Sequence, residues 1–433
     1  MNTFKKIILA NGLQVLVVPV PATESVTTMV LANTGSRYEQ PREHGIAHFL
    51  EHMVFKGTTL YPDSQALAST IDAIGADFNA FTSKEYTGYY VKSASRHIEI
   101  ALEVISDMLL QPLLKEEDLE REKGVIIEEI NMYKDTPMQY VSNLFDQMMF
   151  DESGLGHDIV GGKETVSRFT PGDFRSFLQQ WYGLRNLVLV LAGDERVLND
   201  PATLATATRC FSKETSERPG DKINMETLLA KNKPLASHRL HLETRKTEQA
   251  HLILGWPGLK RTDKRRYVQT LLSIILGGNM SSRLFTEVRE KRGLCYYVHS
   301  DVDTYHDIGV FGCSAGVDPE RIDEALTVIL EQFKGLANGK LPISQAELDR
   351  AKEYITGTMV LNLEESRSLA QFYGFKQLLD GEIKTPEQVL THLRAVTLED
   401  LHALAKNLVR DGAMRLAVIG PFKQKEKFEQ FLI

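Results

Sequence analysis

Apolar and polar positions along the chain follow two periods. Leu13 to Val20 and Val26 to Ala32 are dense in β-branched and apolar residues and predict strands, as does the run Leu187-Val188-Leu189-Val190-Leu191. Helical spacing predicts a helix over residues 43–56, closed by Gly57, and further helices around 64–74, 96–110, 116–133 and 171–181. The pattern breaks after Cys210: residues 211–235 are polar, carry Pro and Gly, and read as a linker.

A second set of strands and helices begins near Leu240 and echoes the first. A shift of 224 residues lays Ile98–Ile105 on Ile322–Ile329. A shift of 221 lays Leu50 and the run Met53-Val54-Phe55 on Leu271 and Ile274-Ile275-Leu276, each closing at a glycine, Gly57 or Gly278. A shift of 229 pairs the helix from Asp118-Leu119 with the one from Glu347-Leu348. Three matches in the same order predict a duplicated domain of the α+β class, each copy a mainly antiparallel sheet packed with helices. The expected division is 1–215, a linker over 216–236, and 237–433.

Composition narrows the class without choosing within it. Lys+Arg 50 against Asp+Glu 58 leaves a formal net charge of −8, which disfavours a nucleic-acid partner. No run approaches the ~20 apolar residues of a membrane span, so membrane insertion is not expected. Ile7-Ile8-Leu9-Ala10 stops at Asn11-Gly12, too short for a signal-peptide core, which points to a cytoplasmic location. Cys210, Cys295 and Cys313, without a CxxC pair, exclude a disulfide framework and a cysteine zinc knuckle. An enzyme or a scaffold remains.

The chemistry concentrates in the first helix, at His48-Phe49-Leu50-Glu51-His52. Positions i and i+4 share a helix face, so both imidazoles can approach one metal ion. Read backwards the string is HExxH, the zincin pattern. Glu51 is placed to act on a water rather than to ligate, accepting its proton during attack on a carbonyl. A catalytic zinc needs a third protein ligand. Its best source is the acidic helix around Glu122-Lys123-Gly124-Val125-Ile126-Ile127-Glu128-Glu129, where Glu122 and Glu129 lie two turns apart on one face and Glu128 points elsewhere. One of the facing pair could ligate while the other holds a ligand histidine.

The repeat supplies an internal control. His48, Glu51 and His52 fall on Gln269, Leu272 and Ser273 of the second copy, and Glu122 and Glu129 fall on Ala351 and Thr358. The apolar frame is kept while every candidate metal residue is lost, so the fold does not demand them.

HFLEHMVFKGT (48–58), GADFNAFTSKEYT (75–87), EKGVIIEE (122–129) and GGNMSSRLFTEVREKRGLCYYV (277–298) together resemble the pitrilysin/insulinase family of zinc metallopeptidases, the inverted zincins, and within it the short processing-peptidase-like subfamily. The resemblance spans both halves. It implies one zinc per chain on His48, His52 and Glu129, Glu51 as general base of a metalloendopeptidase, and Glu122 as the carboxylate supporting a ligand. It further implies that Arg289 and Tyr296, seven residues apart, contact a substrate carbonyl; by residue type alone, Tyr297 is an alternative, and Arg289 also fits a solvated basic cluster. Asn79-Ala80-Phe81 resembles the family's strand that pairs with an extended peptide, although Phe81 fits a core role equally. Family members form a clamshell of four such domains, so this chain would be half of one. The implied partners are a peptide substrate and a second copy of the chain, or a zinc-less homologue, with a non-catalytic or partner-dependent subunit as the alternative function. Three further histidines are set aside: His44 as helix surface, and His157 and His306 as loop residues without partner spacing.

Overall fold

The computed structural model describes residues 4–151, 153–212 and 238–432. The expected linker over 216–236 lies outside the described residues. Two compact units emerge, each an α+β arrangement around one sheet.

The first unit carries a six-stranded sheet in the order β1-β2-β6-β3-β5-β4. Its strands are β1 (Lys5–Ile8), β2 (Gln14–Val20), β3 (Ser25–Ala32), β4 (Asp77–Thr82), β5 (Thr87–Ala94) and β6 (Leu187–Asp194). Only the β2–β6 pair is parallel. Helices α1 (Ile46–Met53), α2 (Ser64–Ala73), α3 (Ile98–Leu110) and α4 (Glu116–Lys134) follow in sequence. The residues of α5 (Pro137–Phe150) belong to the other unit, and the first unit resumes with α6 (Pro171–Trp181) and α7 (Pro201–Cys210). The helix expected over 43–56 is shorter, because Pro41–Glu43 forms a separate 3-10 turn and Gly45, at φ 96°, breaks the helical path.

The second unit carries a five-stranded sheet, β7-β11-β8-β10-β9, built from β7 (Leu240–Thr244), β8 (Ala250–Gly258), β9 (Cys295–Thr304), β10 (Gly309–Val317) and β11 (Arg415–Gly420). Helices α8 (Arg266–Gly277), α9 (Ile322–Ala337) and α10 (Gln345–Asn362) repeat α1, α3 and α4. The shift of 224 carries the first residue of α3 onto that of α9, and 229 carries the first residue of α4 onto that of α10. Helix α11 (Ser366–Phe375) follows, then α12 (Pro386–Arg394) and α13 (Leu398–Leu408).

The units are not the contiguous halves suggested by the repeat. Met132–Gly156, and with it α5, belongs to the second unit, while Val360–Thr385, and with it α11, belongs to the first. The two helices are themselves repeat partners, since α5 shifted by 229 begins at α11. Apolar burial explains the exchange. Leu369, Ala370 and Tyr373 of α11 complete a core with Leu16, Met29, Leu31, Val188 and Val190 of the first sheet. Val141, Leu144, Phe145 and Met149 of α5 close over Ile253, Val310, Ala417 and Ile419 of the second. A buried side chain of this size contributes about 1.5–3 kcal/mol, so each helix goes where its apolar face is covered. Among the described residues, no helix is long and apolar enough to cross a membrane.

Candidate metal centre

The start of α1 is held by a buried carboxyl group. Glu39 accepts hydrogen bonds from the backbone N–H of Gly45 at 2.8 Å and of Ala47 at 2.9 Å, satisfying donors that a helix start leaves unpaired. Burial pushes the Glu39 carboxyl up to about 8, against the pull of those two donors. Gly45 is required by more than its φ: a Cβ there would lie 2.7 Å from the Val160 carbonyl oxygen. From this anchored end, Ile46, Ala47, Phe49, Leu50 and Met53 bury the helix. His48 and His52 are left one turn apart, ring centroids 4.8 Å from each other.

Helix α4 presents the third group. Leu119, Glu122, Ile126 and Ile130 are its buried positions, and this stripe brings Glu129 beside the histidines. One Glu129 oxygen lies 3.5 Å from His48 Nε2 and the other 3.6 Å from His52 Nε2. Donor atoms of His48, His52 and Glu129 all fall within 4.8 Å of one another, the one such group among the described residues. Glu128 is exposed, as its angular offset on the helix requires.

Glu122 lies behind this group. Its Oε1 is 2.9 Å from His52 Nδ1, and its Oε2 is 2.6 Å from Lys56 Nζ. Burial works against ionisation of Glu122, but the hydrogen bonds from His52 and Lys56 outweigh it and hold the carboxyl below its ordinary value. A carboxylate only accepts, so the proton of His52 sits on Nδ1 and the Nε2 lone pair faces Glu129. That lone pair aimed at a carboxylate is unfavourable until a cation stands between them. Two imidazole nitrogens and one carboxylate oxygen are a donor set suited to zinc with a position left open, so the residues fit such an ion. His48 differs in that its Nδ1 is buried without a hydrogen-bond partner among the described residues.

Glu51, one residue before His52, is not part of that donor group. Its Oε2 accepts a hydrogen bond from Thr82 Oγ1 of β4 at 2.5 Å, which fixes the carboxylate beside His52. Strand β4 ends its sheet, and among the described residues its outer edge is unpaired. On it Asn79 is exposed, Ala80 is buried, and Phe81 packs against Tyr86 and Phe375 at the margin of the core. Phe81 thus occupies the core position that its residue type left open.

Arg289 and Tyr296 come together in the second unit. The Arg289 guanidinium lies 4.8 Å from the Phe285 ring and 5.8 Å from that of Tyr296, which is 72% exposed. Tyr297 points its hydroxyl to His251 Nδ1 at 3.1 Å, so the two neighbours are distinguished by direction. In the basic cluster, Lys291 and Arg292 pair with Glu287, whereas Arg289 rests on aromatic faces. His44 is not helix surface: it precedes α1, and its ring lies tilted against that of His157, centroids 3.7 Å apart.

Lys56, Thr82 and Glu39 escaped the reading of the sequence. Lys56 had a signal, four residues beyond His52. Thr82 and Glu39 had none, because their contacts are made by the fold.

The family models match in two adjoining stretches. Residues 14–163 match the insulinase peptidase family M16, and residues 168–355 match the M16 inactive domain. A protein of Streptomyces coelicolor named as an uncharacterized zinc protease is 36% identical over 426 residues, covering 98% of this chain and 91% of its own length. This chain belongs to peptidase family M16. A second relative, also named as an uncharacterized zinc protease, from Bacillus subtilis, is 35% identical over 95% of this chain and 97% of its own length. The M16 fold is also seen in a crystal structure described as a protease from Helicobacter pylori, with TM-score 0.87 at 22% identity over 97% of this chain and all of that one. A structure of an M16 inactive domain from Pseudomonas fluorescens gives 0.86 at 22% identity, over 97% and 99% of the two chains. The naming of these M16 relatives as zinc proteases agrees with a peptidase-like function.

Proposed function

We propose that this chain is a zinc-dependent endopeptidase of the HxxEH type, acting on extended peptides or unfolded segments. The observation that carries the reading is the convergence of His48, His52 and Glu129 beside a carboxylate, Glu51, that ligation does not use. Zinc held by those three residues would polarise a peptide carbonyl and lower the pKa of a bound water. Glu51 would accept the water's proton on its carboxylate and pass it to the leaving amine, with the Thr82 hydroxyl keeping it in place. Glu122 would keep His52 in the tautomer that ligation requires.

The unpaired edge of β4 supports binding of an extended peptide as an added strand, with Asn79 exposed along it. The guanidinium of Arg289 and the exposed phenol of Tyr296 are suited to donate hydrogen bonds to a substrate carbonyl and to the oxyanion that develops on it. We take the working enzyme to be a homodimer in which each chain supplies half of the enclosure; an active monomer at working concentration would sink that part. The central test is Glu51→Gln. The variant should retain zinc by metal analysis and lose chelator-sensitive cleavage of a quenched-fluorescent peptide library. Near-full activity would overturn the assignment of Glu51.

A further inference from the structure

Helices α3 and α9 are repeat partners, yet the groove beside each is filled differently. In the first unit, residues 57–63 are pinned along the end of α3. Thr59 N–H donates to the Gln111 carbonyl at 3.1 Å, Leu60 N–H to Asp107 Oδ2 at 2.8 Å, and Lys115 Nζ to the Pro62 carbonyl at 2.8 Å. Partial burial, together with the neighbouring Glu103, Asp107 and Cys210, raises the Tyr61 phenol above its ordinary value. Helix α7 closes the far side, with Thr206 and Arg209 hydrogen-bonded to Glu99 and Glu103.

The second unit keeps this frame and loses the filling. The shift of 224 lays Glu103, Ser106, Asp107 and Leu110 on Thr327, Leu330, Glu331 and Lys334. The counterpart of α7 is the C-terminal run of Glu426–Glu429 and Gln430–Leu432. A shift of 221 carries the buried Ala207 and Phe211 onto the buried Phe428 and Leu432, and Lys427 meets Asp323 at 3.4 Å where Thr206 meets Glu99. The same shift lays Leu60 and Tyr61 on Ser281 and Ser282. Ser281 turns back on its own loop, donating from N–H and Oγ to Asn279 Oδ1, and Ser282 is buried. What remains beside α9 is a cavity of about 530 Å³, within the range of ligand sites. Leu330, Leu341 and Phe431 supply its apolar wall, and among the described residues none of 278–284 lines it. Exposed Glu331 stands at the place of Asp107, and Lys340, next to the counterpart of Lys115, lines the same space. One anchor is already taken: the Gly335 carbonyl, counterpart of that of Gln111, accepts from Leu341 N–H at 2.9 Å.

We infer that this groove binds an extended peptide segment carrying an apolar residue followed by an aromatic one, as Leu60-Tyr61 lies on α3. The aromatic ring packs on Leu330, Leu341 and Phe431. Glu331 accepts the N–H of the residue before it, and Lys340 donates to a carbonyl after it. The first copy has no room for such a segment, because its own Leu60 and Tyr61 fill the place. Every residue lining the groove belongs to the second unit and none is a candidate zinc ligand, so the inference does not depend on the peptidase reading.

The probe is a labelled peptide with the sequence of residues 57–63, Gly-Thr-Thr-Leu-Tyr-Pro-Asp, acetylated and amidated, beside a second carrying serine in place of tyrosine. The protein is the full-length Glu51→Gln chain with zinc, and affinity is read by fluorescence anisotropy. The tyrosine peptide should bind about tenfold more tightly, the contribution of an aromatic side chain taken partly out of water. Thr327→Trp, which fills the groove from α9, should remove that difference in a chain that melts as the parent does. Glu331→Ala, an exposed change outside the core, should weaken both peptides about fivefold through loss of one hydrogen bond to a carboxylate. Adding His52→Ala should change neither affinity. Equal binding of the two peptides by the parent overturns the inference. So does a tyrosine preference that survives in Thr327→Trp or vanishes with His52→Ala, or an affinity unmoved in Glu331→Ala. Displacement by p-cresol at the peptide's own affinity overturns it as well, because the cavity would then recognise a phenol and not an extended segment.

Discussion

Replacing Glu122 should weaken zinc binding in two graded steps. Each carboxylate oxygen has one partner, His52 Nδ1 at 2.9 Å and Lys56 Nζ at 2.6 Å. In Glu122→Gln the amide carbonyl can still accept from His52. The NH2 group then faces the Lys56 ammonium, whose side chain is 31% exposed and can turn to water. The hydrogen bond survives without its charge, and a charge-assisted bond is roughly twice as strong as a neutral one. A loss of about 1–1.5 kcal/mol, or roughly tenfold in zinc affinity, follows. Glu122→Ala removes the bond altogether and releases the imidazole to rotate. It should cost about 1.5–3 kcal/mol, toward the upper end of the roughly 10–100-fold seen when supporting groups of metal ligands are removed. The assay is a competition titration of the full-length chain against a chromogenic zinc chelator at fixed pH, with thermal melting to show that each variant is folded. Zinc affinity of a folded Glu122→Ala within twofold of the parent would refute the reasoning, since Glu122 would then do nothing for the tautomer of His52.

Other substitutions probe the frame around the site. His52→Ala should lose zinc by metal analysis while the fold persists, because the second copy keeps the same frame with Ser273 at that place. Gly124 lies inside α4, and a Cβ there would meet nothing within 4 Å, so Gly124→Ala should raise the melting temperature, by a stability gain of about 1 kcal/mol. Glu347, near the start of α10, is opposed by its own burial, yet Arg283 and Ser344 pull its carboxyl down to about 2 from 4.5. Its folded pKa is depressed, so its contribution is complete above about 4.5 and is lost as pH falls toward 2. Melting of the parent should therefore fall more steeply across that window than melting of Glu347→Gln. At neutral pH the variant should be less stable by about 1–2 kcal/mol, after allowing for solvent screening of a partly exposed pair.

Much of the centre was legible from spacing. An i, i+4 pair of histidines and an i, i+7 pair of glutamates are each set within one helix, where the turn geometry holds whatever surrounds it. The division of labour between Glu122 and Glu129 was not legible from that spacing, since both lie on one face. It depends on which carboxylate meets His52 Nδ1 and which meets the Nε2 atoms. Thr82 beneath Glu51 is a contact across 31 residues, and Glu39 reaches α1 from a turn whose own sequence shows no capping pattern for that helix.

By itself, then, the sequence determined the periodicity of the elements, the duplication, and a metal-ligand pattern present in only one copy. Each of these is written within a few turns of chain or in the comparison of the chain with itself. Tertiary structure decided the exchange of α5 and α11 between units, the separate orientations of Tyr296 and Tyr297, and the contact of Glu51 with Thr82. The reason is the same in all three cases. An apolar helix face or a strand side chain is buried by whatever sheet and neighbour the fold brings to it, and that choice is made by contacts far apart in the chain.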